Sequence, residues 1–536
     1  MKKISLLIST LSLLIMILLV GCTDESSKEV EEGTDGKTKL TALVVKHPLT
    51  KPTKEIKWLE EVEERAGVDI KWEEVTADWI QKKGAMLPAG DIPDLIIGAN
   101  SITDAEFAKY KGLFADLRPL IKEYGPNIQK MFEERPEMEI LATQSSGEIY
   151  GLPQYKRFFP WTRRQYINQE WLDNLGLKTP TNWDELHEVL LAFKEQDANG
   201  NGNPNDEIPM DWSPIATTGF GSYQPTLLLG SLGMTLTDTS GDGMFLENGE
   251  VKNFLIDDRY KKVVMFLREL WEDELINPEV FTQDYSKFQS LARGNGDYAS
   301  VGYTYGWEIT DRVGNQLAPQ YTSLGVLKES ANSNIDVKWS YSYNSMNYNV
   351  NTIQLSAETK NKEAAMRFIN ELYDPEVSLQ VLYGTLGENI AKNDDGSYEI
   401  LPPKDEEMDP GTWKWTSTWA DFGPMYISDS LNVTLGTDMQ SIEEQTAPLQ
   451  EAFDNIDIES EVLPRVFLKF DDESLNTMSL NKTQYMNLAM SNFSKWVTEG
   501  GIEKEWDKYV DEMKNMGILE DVDIFQEYYD DYMSNQ

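Results

Sequence analysis

The sequence predicts an α/β fold with a mostly parallel sheet, built as at least two lobes. Strand and helix patterns alternate from residue 40 to residue 98, the order that places helices against the faces of a parallel sheet. The length of 536 residues exceeds the size at which one hydrophobic core keeps growing, so a single small domain is excluded. A hydrophobic fraction of 40% is typical of globular proteins and is sufficient for an ample core.

The first elements follow from the spacing of apolar residues. Residues 40–45 form an almost continuous apolar run, which is typical of a buried strand. Apolar residues then recur with helical spacing over residues 54–66, and Gly67 ends this predicted helix. Residues 68–75 alternate between apolar and polar and predict a second strand, and residues 95–98 predict a third.

Later helices are indicated by their caps and by their periodicity. Residues 360–373 and 503–516 both have the apolar stripe of an amphipathic helix. Two further helix starts fit the capping box, in which a hydroxyl and a carboxylate three residues apart satisfy free backbone N–H groups. These pairs are Thr103 with Glu106 and Thr181 with Asp184.

The N-terminus predicts export and lipid attachment. Two lysines precede an apolar run over residues 4–20, which is the pattern of a signal peptide. Small residues then precede Cys22, as in a bacterial lipoprotein cleavage box, so we expect residues 1–21 to be removed and Cys22 to carry two acyl chains at the outer face of the bacterial membrane. An uncleaved membrane anchor is the alternative, although the run is short for a spanning helix. Residues 22–37 are polar and acidic and predict a flexible tether.

The charge balance excludes several classes of partner. The formal net charge is -43, and removal of the two signal-peptide lysines makes it more negative. A surface with this much negative charge repels nucleic acid. The protein would need a locally basic cleft to bind an acidic polymer such as a polyuronate. Cys22 is the only cysteine, so the chain has no intramolecular disulfide.

Several segments together carry a resemblance to a known family. The segments follow the lipoprotein cleavage box in a fixed order along the chain. Together they make the chain resemble the family 1 extracellular solute-binding proteins, and more narrowly the LipO-like lipoproteins of Gram-positive bacteria. The matching segments are residues 90–94 (GDIPD), 147–153 (GEIYGLP), 170–177 (EWLDNLGL), 180–186 (PTNWDEL) and 505–509 (EWDKY), together with Gly517 and Gln526.

The resemblance implies a two-lobed, hinged fold of the periplasmic-binding-protein type II, with a ligand cleft between the lobes. It also implies a monomer that is not an enzyme, which captures an oligosaccharide or related carbohydrate and delivers it to ABC permease subunits. We expect residues 38–155 and 351–400 in the first lobe, residues 156–350 in the second, and the second lobe's remainder with the C-terminal helices over residues 401–536. Residues 166–169 depart from relatives, which commonly carry a basic residue there.

A loop over residues 197–207 predicts a calcium site with a structural role. Oxygen-bearing side chains occupy alternate positions, and the interleaved glycines allow a tight turn, as in the EF-hand loop. The closing acid falls one or two positions early relative to that loop. A polar loop of Asx turns, which needs no metal, is the alternative. The predicted ligands are Asp197, Asn199, Asn201, the Asn203 carbonyl, Asp206 and Glu207.

Aromatic rings are the candidate ligand contacts, because a ring stacks on the apolar C–H face of a sugar. Trp307 and Trp419 are the first choices, since both lie in turn-like surroundings rather than in a helical stripe. Arg163 and Arg164 could neutralise a carboxylate on an acidic sugar, and surface ion pairing is their alternative role. For each ring the alternative is core packing. The other candidates are Trp161, Asp211, Trp212, Tyr303 and Tyr305, and the tryptophans Trp413 and Trp415 mark a further cleft segment.

Two other classes of function stay open at this stage. With 91 Asp and Glu residues, a glycosidase pair can be neither selected nor excluded, because the separation of two carboxylates is a three-dimensional quantity. The chain has no nucleophile elbow, no HExxH motif and no phosphate-binding loop. Its two histidines, His47 and His187, exclude a multi-histidine zinc centre. The alternatives to import are therefore a carbohydrate-active enzyme and a sugar-binding surface protein without a transport role.

Overall fold

The computed structural model describes residues 36–156, 162–216, 219–237, 240–294, 296–342, 347–404 and 410–534. Within these ranges the strands are β1 Thr38–Val45, β2 Val68–Val75, β3 Leu95–Ile97, β4 Gly151–Tyr155, β5 Arg164–Asn168, β6 Ile208–Met210, β7 Met244–Glu247, β8 Glu250–Asn253, β9 Val301–Gly306, β10 Tyr321–Ser323, β11 Tyr348–Leu355, β12 Ile390–Lys392, β13 Tyr398–Ile400 and β14 Val433–Thr434.

The helices are α1 Lys57–Ala66, α2 Trp79–Ala89, α3 Asp104–Lys109, α4 Arg118–Tyr124, α5 Pro126–Glu134, α6 Glu137–Ala142, α7 Gln169–Leu175, α8 Trp183–Glu195, α9 Asp258–Glu272, α10 Tyr285–Arg293, α11 Ile309–Val313, α12 Lys362–Leu372, α13 Pro375–Tyr383, α14 Pro410–Thr416, α15 Thr437–Thr446, α16 Gln450–Asp454, α17 Ile458–Glu461, α18 Asp472–Glu499, α19 Ile502–Asn515 and α20 Ile518–Ser534. None of the helices in the described ranges is long and apolar enough to cross a bilayer.

The first lobe is built around a five-stranded sheet of order β2-β1-β3-β11-β4. Strand β1 runs parallel to β2 and β3, whereas β11 lies antiparallel between β3 and β4. Successive side chains of β1 face opposite sides of the sheet. Ala42 and Val44 enter the larger core with α1 and α12, and Leu43 enters a smaller core with Phe107 of α3. Helices therefore cover both faces, which confirms the predicted α/β class.

The second lobe contains a four-stranded sheet of order β10-β5-β9-β6. Strand β6 is parallel to β9, and β5 is antiparallel to both β9 and β10. Its core joins Leu186 and Phe193 of α8, Leu267 of α9, and Phe493 and Trp496 of α18. The hairpin of β7 and β8 packs beside this core, where β8 contacts α20.

The chain passes between the lobes from β4 to β5, from β10 to β11, and from β14 to α15. In the first lobe, β4 ends where β11 begins, because Tyr155 pairs with Tyr348. In the second lobe, β5 begins where β9 ends, because Arg164 pairs with Gly306. The first two crossings thus join the carboxyl edges of the two sheets. In open α/β sheets this edge is where ligands bind.

The predicted early elements agree with the structure except at one helix start. The strands predicted at residues 40–45, 68–75 and 95–98 correspond to β1, β2 and β3. Helix α1 begins at Lys57 rather than at residue 54, because a short 3-10 turn, Thr53–Glu55, precedes it.

The division expected at residue 400 is wrong in the structure. Segments beyond it, including Trp419, Met425 and Ile427, pack in the core of the first lobe. Residues 425–427 lie alongside β4, where the Tyr155 N–H donates to the Met425 carbonyl at 3.0 Å and the Ile427 N–H donates to the Tyr155 carbonyl at 2.9 Å. This added edge pairing holds the segment in the first lobe until the chain crosses before α15.

Candidate functional site

Trp307 lies at the carboxyl edge of the second lobe's sheet, directly after β9, and its side chain is half-buried. The guanidinium of Arg164 lies 5.4 Å from the ring centroid and donates through Nη1 to the Trp307 carbonyl at 2.5 Å. Its Nε donates to Thr446 Oγ1 of α15 at 2.9 Å. Arg164 therefore ties the ring to β5 and to α15. Nothing in the sequence indicated Thr446, because the contact depends on the third crossing.

Arg163 and Arg164 are internal residues in the structure, not surface ones. Both side chains are buried. Arg163 donates through Nη1 to Ser340 Oγ at 2.7 Å, and its backbone carbonyl accepts from Trp339 Nε1 at 2.9 Å. Burial lowers the pKa of Arg164. Surface ion pairing, the alternative raised for these two arginines, does not describe their environment.

Tyr303 and Tyr305 are core residues of β9 that face the same side of the sheet. The Tyr303 hydroxyl donates to Gln165 Oε1 at 2.6 Å and lies 3.4 Å from the Tyr305 hydroxyl. Burial raises the pKa of both phenols. Their rings meet nearly at right angles, with centroids 5.4 Å apart. In this structure the two tyrosines therefore pack in the core and stabilise the strand that ends before Trp307.

Asp211 forms a buried ion pair beneath the same edge. It lies immediately after β6, is 0% exposed, and contacts Arg312 at 2.7 Å. Its other oxygen accepts from Asn277 Nδ2 and Gln283 Nε2, both at 3.0 Å. Burial raises the pKa of Asp211 and lowers that of Arg312 to about 10. All these partners belong to the second lobe, so in this structure Asp211 stabilises that lobe's sheet.

Two of the other predicted tryptophans pack in hydrophobic cores, which does not favour ligand contact. Trp212 belongs to the second core and meets Phe281 edge-on at 6.1 Å. Trp419 is 0% exposed in the first core and meets Trp58 and Trp72 edge-on at 5.1 and 5.6 Å. The turn-like sequence around Trp419 forms a short 3-10 turn that lies against the core. Trp161 lies outside the described residues.

The loop after α8 folds around its own amide and carboxylate groups. Asn199 Nδ2 and Asn201 Nδ2 donate to the two oxygens of Asp206 at 3.1 and 2.9 Å. The backbone N–H of Asn201 donates to Asn199 Oδ1 at 2.9 Å, and that of Asn203 donates to Asn201 Oδ1 at 2.7 Å. The Asx turns of the alternative interpretation are therefore present.

Two carboxylate oxygens in this loop stay unsatisfied, which Asx turns alone do not explain. Asp197 Oδ1 and Glu207 Oε2 are buried and have no hydrogen-bond partner. Burial raises the pKa of Glu207, and Asp206 and Asp197 add negative charge beside it. Among the described residues no three acidic, His or Cys side chains are arranged to hold a metal by themselves. An ion in this loop would therefore also use amide and carbonyl oxygens, which are ligands that suit Ca²⁺.

Two α/β lobes, joined at their carboxyl edges by several crossings, are the architecture of a hinged binding protein that closes on its ligand. The chain belongs to the family of bacterial extracellular solute-binding proteins, whose family model matches residues 49–378.

The relatives are transport-associated binding proteins. The chain is similar to the fructooligosaccharide ABC transporter substrate-binding protein FusA of Streptococcus pneumoniae, with 29% identity covering 89% of this chain and 87% of FusA. It is similar to the structure of an HMO binding ABC-transporter associated solute-binding protein from Bifidobacterium longum infantis, with 31% identity, a TM-score of 0.84, and coverage of 93% of this chain and 99% of that one. It is also similar to the structure of a FusA EF-hand mutant in complex with fructo-nystose, with 25% identity, a TM-score of 0.77, and coverage of 93% and 100%.

Proposed function

We propose that this protein is the substrate-binding lipoprotein of an ABC importer, and that it captures an oligosaccharide outside the membrane and delivers it intact. The observation that carries the proposal is the placement of Trp307 at the edge where the two sheets face each other, with its ring held by Arg164. A fixed aromatic ring at such an edge suits the apolar face of a sugar. The relatives' ligands, a fructooligosaccharide and HMO, support the same class.

Closure provides the physical link from binding to transport. When a ligand contacts both lobes, it stabilises the closed state by its differential affinity for that state. An importer can then distinguish loaded from empty protein by shape. The crossings from β4 to β5 and from β10 to β11 lie at the joined edges, where a hinge between the lobes would allow this closure.

A thermal-shift panel tests the proposal. The mature chain, carrying Cys22→Ser to keep it in solution, is heated with kestose, nystose, a neutral tetrasaccharide based on galactose, and trigalacturonate. At least one oligosaccharide should raise the melting temperature by several degrees, since a ligand that binds the native state stabilises it by mass action. The bound sugar should be recovered unchanged by mass spectrometry. No shift with any oligosaccharide, or release of reducing ends, would contradict the proposal.

Lipid attachment at Cys22 is the second part of the proposal, and Cys22 lies outside the described residues. It is supported by the apolar run and small residues before the cysteine. Two acyl chains anchor a protein stably, and the polar stretch up to residue 37 would let the lobes reach the permease. Cys22→Ser should move the protein from the membrane fraction to the soluble fraction, and membrane retention would overturn this assignment.

Calcium in the loop after α8 is the third part. The two buried, unsatisfied oxygens of Asp197 and Glu207 support it, as does the EF-hand mutant that exists for FusA. When bound, Ca²⁺ would offset two of the three negative charges of the loop's acids and fix its connection to β6. The ligands would be Asp197, Asn199, Asn201, the Asn203 carbonyl, Asp206 and Glu207.

A further inference from the structure

The rings of His47 and Trp415 stack face to face on the first lobe, and we call this stacked pair the aromatic shelf. Their ring centroids are 4.2 Å apart with an angle of 25° between the ring planes, the geometry of an offset stack. Both side chains are only half-buried, whereas Lys46, next to His47, is buried. The sequence contained no signal for this pairing, because the two residues are more than 360 positions apart.

The aromatic shelf lies at the edge where the lobes face each other. His47 follows β1 at the carboxyl edge of the first sheet. Trp415 lies on α14, which packs against α15. Helix α15 also carries Thr446, the residue that binds Arg164 beside Trp307. Helix α15 therefore contacts both the helix that carries Trp415 and the arginine beside Trp307.

The segments that carry the shelf are fixed before any ligand arrives. The Thr50 hydroxyl contacts the carbonyls of Trp415 and Thr418, both at 3.1 Å. The Lys51 N–H donates to the Thr416 carbonyl at 3.0 Å. These contacts join the loop after β1 to the end of α14, so little order has to be gained on binding.

The backbone also fixes the tautomer of His47. The Leu49 N–H donates to His47 Nδ1 at 3.2 Å. Since Nδ1 accepts a hydrogen bond, the ring proton of the neutral imidazole is on Nε2. The half-exposed ring therefore offers an N–H donor at the edge of the stacked pair.

We propose that the aromatic shelf is the first lobe's contact surface for an uncharged oligosaccharide: the outer face of the His47 ring, backed by Trp415, stacks on the C–H face of one sugar residue, and Nε2–H at the ring edge donates to a hydroxyl group of the next residue. This inference rests on the proposed function. Trp307 contacts a neighbouring part of the same oligosaccharide from the second lobe, so the ligand bridges the two lobes when they close.

The charges beside the two aromatic surfaces favour an uncharged ligand. Lys46 is ion-paired with Glu74 and also donates to the Thr50 carbonyl at 3.1 Å. Glu308, next to Trp307, accepts from the backbone N–H groups of Thr310 and Asp311 at 2.8 and 3.1 Å. Because Lys46 and Glu308 already have partners inside the protein, we expect rings and neutral donors to make the main ligand contacts, and these suit hydroxyl groups better than a uronate.

Histidine resonances provide a direct test, because the chain has only two histidines. His187, on α8 of the second lobe, contacts Asp273 at 2.8 Å and is the internal control. In the Cys22→Ser mature chain, the 13Cε1–1Hε1 signal of His47 should shift on addition of the neutral oligosaccharide that gives the largest thermal shift, and the His187 signal should not. The 15N shifts of His47 should show the Nε2–H tautomer. The two histidine signals are assigned with the His187→Ala variant, in which only the His47 signal remains.

Substitutions separate stacking from hydrogen bonding. His47→Ala should weaken binding of that oligosaccharide at least tenfold by calorimetry, with an unchanged melting temperature without ligand. His47→Gln keeps a donor and His47→Phe keeps a ring, so each should bind more tightly than the alanine variant. His187→Ala should bind as the parent chain does.

The outcomes distinguish the shelf from the proposed function. Suppose that an oligosaccharide binds, that the His47 signal does not shift when it is added, and that His47→Ala leaves the affinity unchanged. The proposed role of the shelf is then wrong, and the binding function stands. If trigalacturonate binds at least as well as the neutral sugars, the uncharged class is wrong. If no oligosaccharide binds the parent chain, the proposed function itself fails.

Discussion

Two tryptophans of similar sequence context have opposite environments in this protein. Trp419 is fully buried between Trp58 and Trp72, and its indole N–H has no hydrogen-bond partner among the described residues. Trp307 is half-buried at a sheet edge and rests against a guanidinium. The environment of the first ring is that of a core residue that stabilises a lobe, and we propose that the second contacts a ligand on closure.

Alanine substitutions should separate these two roles. Trp419→Ala leaves a large cavity in the first core, so we expect a loss of about 3 to 5 kcal/mol in the free energy of unfolding of that lobe. Trp307→Ala removes few core contacts and should leave the melting temperature within about 2 °C of the parent chain, while oligosaccharide affinity falls at least tenfold. Denaturant unfolding and calorimetry on both variants check this.

The matched control is Trp419→Phe. It keeps an aromatic ring and loses no hydrogen bond, so it should cost much less than Trp419→Ala. If the Trp419→Ala variant is as stable as the parent chain but binds the oligosaccharide more weakly, Trp419 contacts the ligand and its assignment to the core is wrong.

Caps show how far single residues can be predicted. The box of Thr103 and Glu106 is confirmed, with both reciprocal hydrogen bonds present. At α8 the predicted cap is one residue early: Asn182, not Thr181, accepts from the N–H of Glu185 at 3.0 Å. Thr and Asn are both good caps, and adjacent cap formers leave the helix start undecided until tertiary packing places the first turn.

At the scale of elements, the strongly periodic segments could be predicted and the others could not. The predicted helices at residues 360–373 and 503–516 appear as α12 and α19, each within two residues at both ends. The long helix α18 was missed, because its apolar residues contact α9, α19 and α20 on different sides and form no single stripe. The strand pairing at residues 425–427 was missed because it depends on a distant partner.

The loop between α8 and β6 carries the calcium prediction. Adding Ca²⁺ should raise the melting temperature of the parent chain, and a chelator should reverse the gain, because the ion supplies the partner that Asp197 Oδ1 and Glu207 Oε2 lack. Asp197→Ala should abolish this response. Since protons compete with calcium for carboxylates, and burial raises the pKa of Glu207, the gain should shrink as the pH falls.

Asn205→Ala is the matched control for the loop. Asn205 makes only a 3.5 Å contact with Asn203 and is not a predicted ligand, so this variant should keep the calcium response. An identical melting curve for the parent chain with calcium and with chelator would remove the metal site and leave a loop of Asx turns.

At the scale of the whole molecule, the class of fold and the presence of two lobes could be predicted, and the faces of the cleft could not. Length and strand–helix alternation determine the first two. The cleft depends on which residues the folded chain brings together, such as Arg164 with Thr446 and His47 with Trp415. The members of each pair are distant in the sequence, so their contacts exist only once the lobe that holds them has folded.

Net charge gives a prediction that belongs to the whole molecule. Acidic residues outnumber basic ones by 91 to 48, so even if every Lys and Arg were paired, 43 acids would have no basic partner. Exposed ion pairs contribute little each, so screening of the remaining repulsion should dominate the response to salt. Raising NaCl from 20 mM to 500 mM should therefore raise the melting temperature by about 2 °C or more, in the parent chain and in Asp197→Ala alike. A constant or falling melting temperature would show that the ion pairs outweigh the repulsion, and a rise confined to the parent chain would assign the effect to the loop after α8.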